Sequence, residues 1–179
     1  MTRVVVSVGT DHHPFDRMLE WIAVAKQRLD LSVLVQRGAT APRDGLESVD
    51  YVAAEELATL MRDADAVVCH GGPGTISLAQ SVGRRPIVVA RDPALGEHVD
   101  DHQMRYTARL ANDGEIDTAR SLDELVEMLS VPRPTQDVVD HDEAVAAAVA
   151  EFGSLVDRLL AGQLPKRRWR DRILVRRVA

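Results

Sequence analysis

Asp65-Ala-Val-Val-Cys69 runs directly into His70-Gly-Gly-Pro-Gly-Thr75, and Ile76-Ser-Leu-Ala-Gln-Ser-Val82 follows. Gly83 comes next, and then a second apolar run, Pro86-Ile-Val-Val-Ala90. A short run of β-branched apolar residues is the pattern of a strand covered on both faces. Gly83 suits the position just past a helix end. The stretch therefore predicts a strand, a glycine turn, a helix over 76–82 and a parallel strand. Working toward the N-terminus, Arg3 to Val8 is a strand of the same kind. Pro14 and Phe15 open a helix to about Leu29, with Met18, Leu19, Ile22, Ala25 and Leu29 at helical spacing. Leu31 to Gln36 is the next strand, residues 39–50 read as loop, and Tyr51-Val52 as a short strand. Glu55 to Asp63 is a helix. Beyond Ala90, residues 91–101 read as a polar loop, and a helix runs from about His102 to Ala111. A strand is expected at Gly114-Glu115-Ile116 and a helix over Leu122 to Leu129. A last helix is expected over about 142–161, followed by a basic tail, 166–179. Strands alternating with helices give the α/β class, a doubly wound, Rossmann-like parallel sheet with right-handed crossovers. Residues 1–165 are expected to form one domain.

Composition narrows the class. Apolar residues are 45% and charged residues 28%, which excludes wholesale disorder and a fibrous repeat. No uncharged apolar stretch approaches the ~20 residues that span a bilayer. Met1-Thr-Arg-Val-Val-Val6 enters the strand pattern at once, which leaves no room for a signal peptide. The single cysteine, Cys69, cannot form an internal disulfide, so a reducing cytoplasm is the expected setting. It reads as a small buried residue. The net charge of −6 is unevenly spread, because Lys166 to Ala179 hold seven basic residues against Asp171. An acidic body argues against nucleic acid as a partner. The basic tail, with Trp169 and Ile173, allows contact with an anionic membrane surface or an acidic partner.

In a doubly wound sheet, ligands bind beyond the carboxyl ends of the strands. Gly9 to His13, His70 to Thr75 and Arg91 to Gln103 all lie there. Glycines in the second segment let a backbone approach a ligand, and the helix after it offers free N–H groups to an anion. Thr75 can cap that helix and donate to a phosphate oxygen. The spacing matches neither Walker A nor GxGxxG. Phosphate binding and a purely geometric turn both remain open. Arg91 can neutralise phosphate, and Asp101, His102 and Gln103 can bind sugar hydroxyls. The alternative is a solvated loop in which Asp100 or Asp101 caps the next helix. His98, Asp101 and His102, with Asp11, His12 and His13, also form a candidate metal cluster, though without a recognised ligand spacing. His12 or His13 can serve as a general base.

Val6-Ser-Val-Gly-Thr10 with Pro14-Phe-Asp-Arg-Met18, His70-Gly-Gly-Pro-Gly-Thr-Ile76, Gly83-Arg-Arg-Pro-Ile-Val-Val89 and Glu97-His-Val-Asp-Asp-His-Gln103 together resemble glycosyltransferase family 28 C-terminal domains. The likeness covers roughly residues 3–130. It is nearest the stand-alone small subunit of split bacterial exopolysaccharide transferases, and it is similar to the C-terminal half of the MurG transferase. The resemblance implies the nucleotide-sugar half of a GT-B fold, a UDP-sugar donor, hexose transfer to a lipid-linked or polysaccharide acceptor, and no metal or other cofactor. It implies a membrane-anchored partner subunit carrying the acceptor site, which would hold this chain at the inner face of the membrane. The donor-binding set it implies is Gly9, Thr10, Gly71, Gly72, Gly74, Thr75, Arg91, Glu97, His102 and Gln103. His12 and His13 are the candidate bases if the base is local. One departure stands out. The family usually has Glu three residues after the Thr of the glycine turn, where it holds the ribose; here the position is Leu78. A non-catalytic nucleotide-sugar binder is the alternative.

Overall fold

A computed structural model describes residues 1–135 of the chain; the expected helix over 142–161 and the basic tail 166–179 lie outside the described residues. Six strands form one parallel sheet: β1 (Thr2–Ser7), β2 (Leu31–Gln36), β3 (Glu47–Val49), β4 (Ala66–Cys69), β5 (Ile87–Val88) and β6 (Asp117–Thr118). Their order is β3-β2-β1-β4-β5-β6. The chain therefore reverses direction of travel between β1 and β4, the switch point where such sheets open a crevice. Five helices connect and cover the strands: α1 (Asp16–Arg28), α2 (Ala54–Asp63), α3 (Pro73–Ser81), α4 (His102–Asn112) and α5 (Leu122–Ser130).

Alternation along β1 places both faces of the sheet against helices. Val4 and Val6 pack with Met18, Leu19 and Ile22 of α1 and Leu125 and Leu129 of α5. Val5 packs with Leu57 and Met61 of α2 and Ala79 of α3 on the opposite face. Each fully buried side chain of this size contributes about 1.5–3 kcal/mol. A third cluster, Cys69, Ile76, Val88 and Ile116, closes the end of the sheet under α4.

Several boundaries differ from those read off the sequence. The third strand lies at Glu47–Val49, inside the segment expected to be loop, and pairs with Leu34–Gln36. Tyr51-Val52 follows it as irregular chain. With Glu47 and Val49 exposed, this three-residue edge strand carries no apolar pattern to find. The last strand is shifted from 114–116 to Asp117–Thr118, because Gly114 takes φ +77 to end α4. Helix α3 starts at Pro73, within the glycine turn, with Pro in the first turn where its missing N–H is harmless. Its N-cap is Gly72, so Thr75 lies inside the helix and makes no capping bond.

The buried Arg91 ties the strand ends together. Its guanidinium donates to the carbonyls of Val8 (3.0 Å), His13 (2.8 Å) and Glu97 (3.0 Å). It also lies 4.7 Å from the Phe15 ring centroid. Arg91 is fully enclosed, so it is placed to brace the loops, and the phosphate-neutralising contact expected of it has no open path. Glu97 is buried as well. It takes a two-pronged ion pair from Arg17 (2.8 and 2.7 Å) and the Asp92 N–H (2.8 Å). Removing one partner of a buried charged network costs about 3–5 kcal/mol. Arg91→Met should therefore lower the melting temperature by on the order of 10 °C, measured by thermal unfolding. A melting point unchanged within a degree would contradict the bracing role.

Candidate functional site

A cavity of about 340 Å³ opens at the switch point, within the range of small-molecule sites. The ends of β1 and β4 and the start of α3 form its floor, and the segment after β3 forms one wall. Gly9, Thr10, Gly72, Gly74 and Thr75, all expected at the site, line it. His70, Gln36, Tyr51, Val52, Leu57 and Leu78 line it too.

The glycines serve different ends. A Cβ on Gly72 would lie 2.2 Å from His70 Nε2, and one on Gly9 2.3 Å from His70 Cε1. Gly9 also has φ +80, in the left-handed region. These two are glycine because the His70 ring packs between them. A Cβ on Gly71 would press on Gln103 and Thr107 at 3.1 and 3.0 Å. Gly74 differs: a Cβ there would meet nothing within 4 Å, and the residue borders the cavity.

The first turn of α3 is equipped for an anion. The amides of Gly74 and Thr75 precede the first intrahelical bond, Ile76 N–H to Gly72 O (3.2 Å). The helix dipole adds partial positive charge there. The turn carries no acidic residue. No aspartate or glutamate lines the cavity among the described residues.

His70 is buried and its Nδ1 has no hydrogen-bond partner among the described residues. Burial, helped by the Arg91 charge, pushes its pKa down to about 4. The ring is therefore neutral at pH 7. Burial also pushes the Cys69 thiol up to about 12, which leaves it inert as a nucleophile and consistent with a packing role.

The remaining expected residues stand outside this cavity. Gln103 is buried under Gly71, and its Oε1 has no partner among the described residues. His102 is exposed on the rim, bonded to Asp100. Asp100, rather than Asp101, caps α4, taking the His102 N–H at 3.0 Å. Of the two candidate bases, His12 is exposed, whereas His13 Nδ1 lies 2.6 Å from Asp11 Oδ1. Burial alone would raise the Asp11 carboxyl; bonds from the His13 N–H and ring, with the Arg91 charge, outweigh it and hold it at about 2. Arg91, Glu97, Gly71, His102 and Gln103 thus do not line the cavity. His70 and Tyr51 do. His70 was visible as the residue between the strand and the glycines, whereas nothing in the sequence places Tyr51 opposite them.

A model of the glycosyltransferase family 28 C-terminal domain matches residues 4–159. A UDP-N-acetylglucosamine–N-acetylmuramyl-(pentapeptide) pyrophosphoryl-undecaprenol N-acetylglucosamine transferase of Trichlorobacter lovleyi is 25% identical over 139 residues. That match covers 74% of this chain and 35% of the relative. Among solved structures, the calicheamicin glycosyltransferase CalG4 superposes with a TM-score of 0.55 at 15% identity, covering 72% of this chain and 34% of that one. The glycotransferase of kitacinnamycin gives 0.57 at 18% identity, covering 92% and 44%. At these identities the structural likeness shows the fold alone, the Rossmann-like α/β domain of GT-B glycosyltransferases. The chain spans about a third of the length of the curated relative.

Two predictions test the glycines and His70. Gly72→Ala should destabilise the chain by displacing His70. Gly74→Ala should leave it as stable or raise it by about 0.5–1 kcal/mol, since alanine is the better helix residue. Urea unfolding of both variants decides. For His70, the unfolded group titrates near 6.5 and the folded one near 4. Its contribution to stability is complete above pH 6.5 and is lost as pH falls toward 4. Between pH 7 and 4.5 this loss is on the order of 2–3 kcal/mol. His70→Asn should flatten that part of the profile; an identical pH dependence in the variant would reject it.

Proposed function

The chain belongs to the glycosyltransferase family 28 C-terminal domain family, and from that premise we propose that it is the donor-binding subunit of a UDP-sugar-dependent hexosyltransferase. The observation that carries this reading is the open, acid-free first turn of α3 at the cavity floor, with Gly74 facing empty space. A diphosphate would sit against the Gly74 and Thr75 amides, and the Thr75 hydroxyl would donate to it. Tyr51, Val52, Leu57 and Leu78 would wall the nucleoside.

In the reaction proposed, an acceptor hydroxyl attacks the anomeric carbon and its proton passes to a base. The bond from that carbon to the β-phosphate oxygen breaks, and UDP leaves with the electron pair. Charge gathering on UDP is stabilised by the N-terminus of α3. His13 is the base favoured within this chain, because Asp11 holds its Nδ1 and leaves Nε2 as the nitrogen to take a proton. No metal is assigned to the transfer. The acceptor site is proposed to lie on a partner subunit anchored in the membrane, as the half-site architecture of a donor-binding domain would need. The acceptor would be a lipid-linked sugar or polysaccharide. No helix among the described residues is long and apolar enough to cross a membrane. A membrane-held partner, with the basic segment 166–179 touching anionic lipid, is proposed to supply the attachment.

One observation favours a second reading, a non-catalytic nucleotide-sugar binder. Among the described residues no carboxylate lines the cavity to hold ribose, and Leu78 packs into the apolar cluster of Leu57 and Val52. Gln36 lines the cavity as a neutral amide, already bonded to Ser7 Oγ (3.2 Å) and to the Val52 N–H (3.2 Å).

Titration with UDP, followed by turnover with UDP-sugars and the partner, separates the two readings. UDP at a hundredfold excess over its Kd should stabilise the chain by about 2.7 kcal/mol. Uridine should do far less. Gly74→Trp should fold normally yet lose the UDP shift. No shift in the unmodified chain at millimolar UDP would sink the donor site; a shift without turnover would favour the second reading.

A further inference from the structure

Four of the chain's six histidines meet two aspartates on the rim of the crevice, outside the cavity. They form one linked chain of groups. His13 Nδ1 lies 2.6 Å from Asp11 Oδ1, and Asp11 Oδ2 lies 3.4 Å from His98 Nε2. His98 Nδ1 lies 3.7 Å from Asp100 Oδ1, which also bonds the His102 ring. We propose that His98, Asp100 and His102 form a binding site for a transition-metal dication of the zinc class, with Asp11 orienting His98.

Three observations support this. First, one ligand atom from each of the three residues lies within 4.8 Å of the others. Zinc bonds of about 2.0–2.1 Å put tetrahedral ligands roughly 3.3 Å apart, so small side-chain rotations close the site. The spacing His98-Val-Asp100-Asp-His102 supplies all three from one loop and the first residue of α4.

Second, each ring nitrogen of His98 has a polar neighbour. Its Nδ1 accepts the Asp100 N–H at a long 3.4 Å, while Nε2 faces the Asp11 carboxylate. An ion bound at Nδ1 would displace that long contact and leave Nε2 beside the Asp11 carboxylate. A metal-bound histidine whose other nitrogen donates to a carboxylate is the arrangement that raises ligand basicity and fixes the ring. His98 is also mostly buried, with its side chain 10% exposed, so little freedom is lost on binding.

Third, the donor set selects the ion. Two imidazoles and a carboxylate suit Zn²⁺, Co²⁺, Ni²⁺ or Cu²⁺, whereas Mg²⁺ prefers oxygen ligands and keeps its water. The fourth position would hold water. Such an ion would pin the loop after β5 against the loop after β1 through Asp11. It stands apart from the transfer step proposed above.

The test uses the full, tag-free chain, stripped with a chelator and without nucleotide. Zn²⁺ affinity is measured by competition with a chromophoric chelator, and Co²⁺ binding by its visible absorption. One equivalent of Zn²⁺ is expected, with Co²⁺ bands of tetrahedral intensity and no competition from millimolar Mg²⁺. His98→Gln and His102→Gln should each weaken binding at least tenfold, and Asp11→Asn about tenfold. His12→Gln should leave affinity unchanged. His102 is exposed, so its variant keeps the test valid if His98→Gln misfolds by circular dichroism. Absent stoichiometric binding, equal affinity in the His102 variant, loss of binding in His12→Gln, or displacement by Mg²⁺ would each overturn the site.

Discussion

One enclosed cation holds the functional end of this molecule in place. The backbone leaves β1 at Val8 and β5 at Val88, and both loops must end near each other to make a crevice. Loop carbonyls buried there need donors, since an unsatisfied buried carbonyl costs about 1–3 kcal/mol. Arg91 supplies two nitrogens to three carbonyls, those of Val8 and His13 in the loop after β1 and that of Glu97 in the loop after β5. Burial disfavours its charge, and the fields of Asp11 and Glu97 offset that cost only in part. Glu97 then engages Arg17 at the start of α1, and Phe15 N–H bonds the buried Thr40 hydroxyl at 2.9 Å. The position of Asp11, His13 and His98 is thus set by a network whose members do not touch the cavity.

The glycine turn shows the same separation between what shapes the site and what faces it. Gly9 and Gly72 make room for an internal imidazole, so their lack of a side chain is a packing requirement. Gly74 has no such neighbour, and the empty volume beside it is the cavity itself. A first-turn glycine without a packing reason still forgoes part of the propensity that alanine would supply. That loss has a physical rationale only if a bound group comes close to the backbone.

The central strands were legible because their β-branched runs are long enough to show burial on both faces, as in Val4 to Val8 and Ala66 to Cys69. The edge strands were not. Glu47–Val49 and Asp117–Thr118 are set by pairing with a neighbour already in place, and a two- or three-residue ladder leaves no period to read. The crevice was legible too, since glycines and polar residues cluster after three strands. Arg91 was misread for a physical reason. An arginine after a strand looks like an anion contact, and the partners that bury it are carbonyls, which have no sequence signature. The linkage of Asp11 to His98 was equally hidden, because the residues are far apart along the chain and meet only through parallel neighbours β1, β4 and β5.

Charge placement is the strongest constraint on what the cavity can hold. The chain is acidic overall, and α1, α2 and α5 all carry acids in their first turns: Asp16, Glu55 with Glu56, and Asp123 with Glu124. Such acids contribute about 0.3–1 kcal/mol each by complementing the helix dipole. Helix α3 carries none, although its first turn is where the crevice opens. An acid there would repel any phosphate approaching the Gly74 and Thr75 amides. Asp11 and Glu97 are engaged by His13 and by Arg17 and do not line the cavity. A neutral ligand would gain nothing from this distribution. Under the reading proposed above, a diphosphate would gain from the acid-free turn, and the apolar wall of Val52, Leu57 and Leu78 would take an uncharged ring beside it.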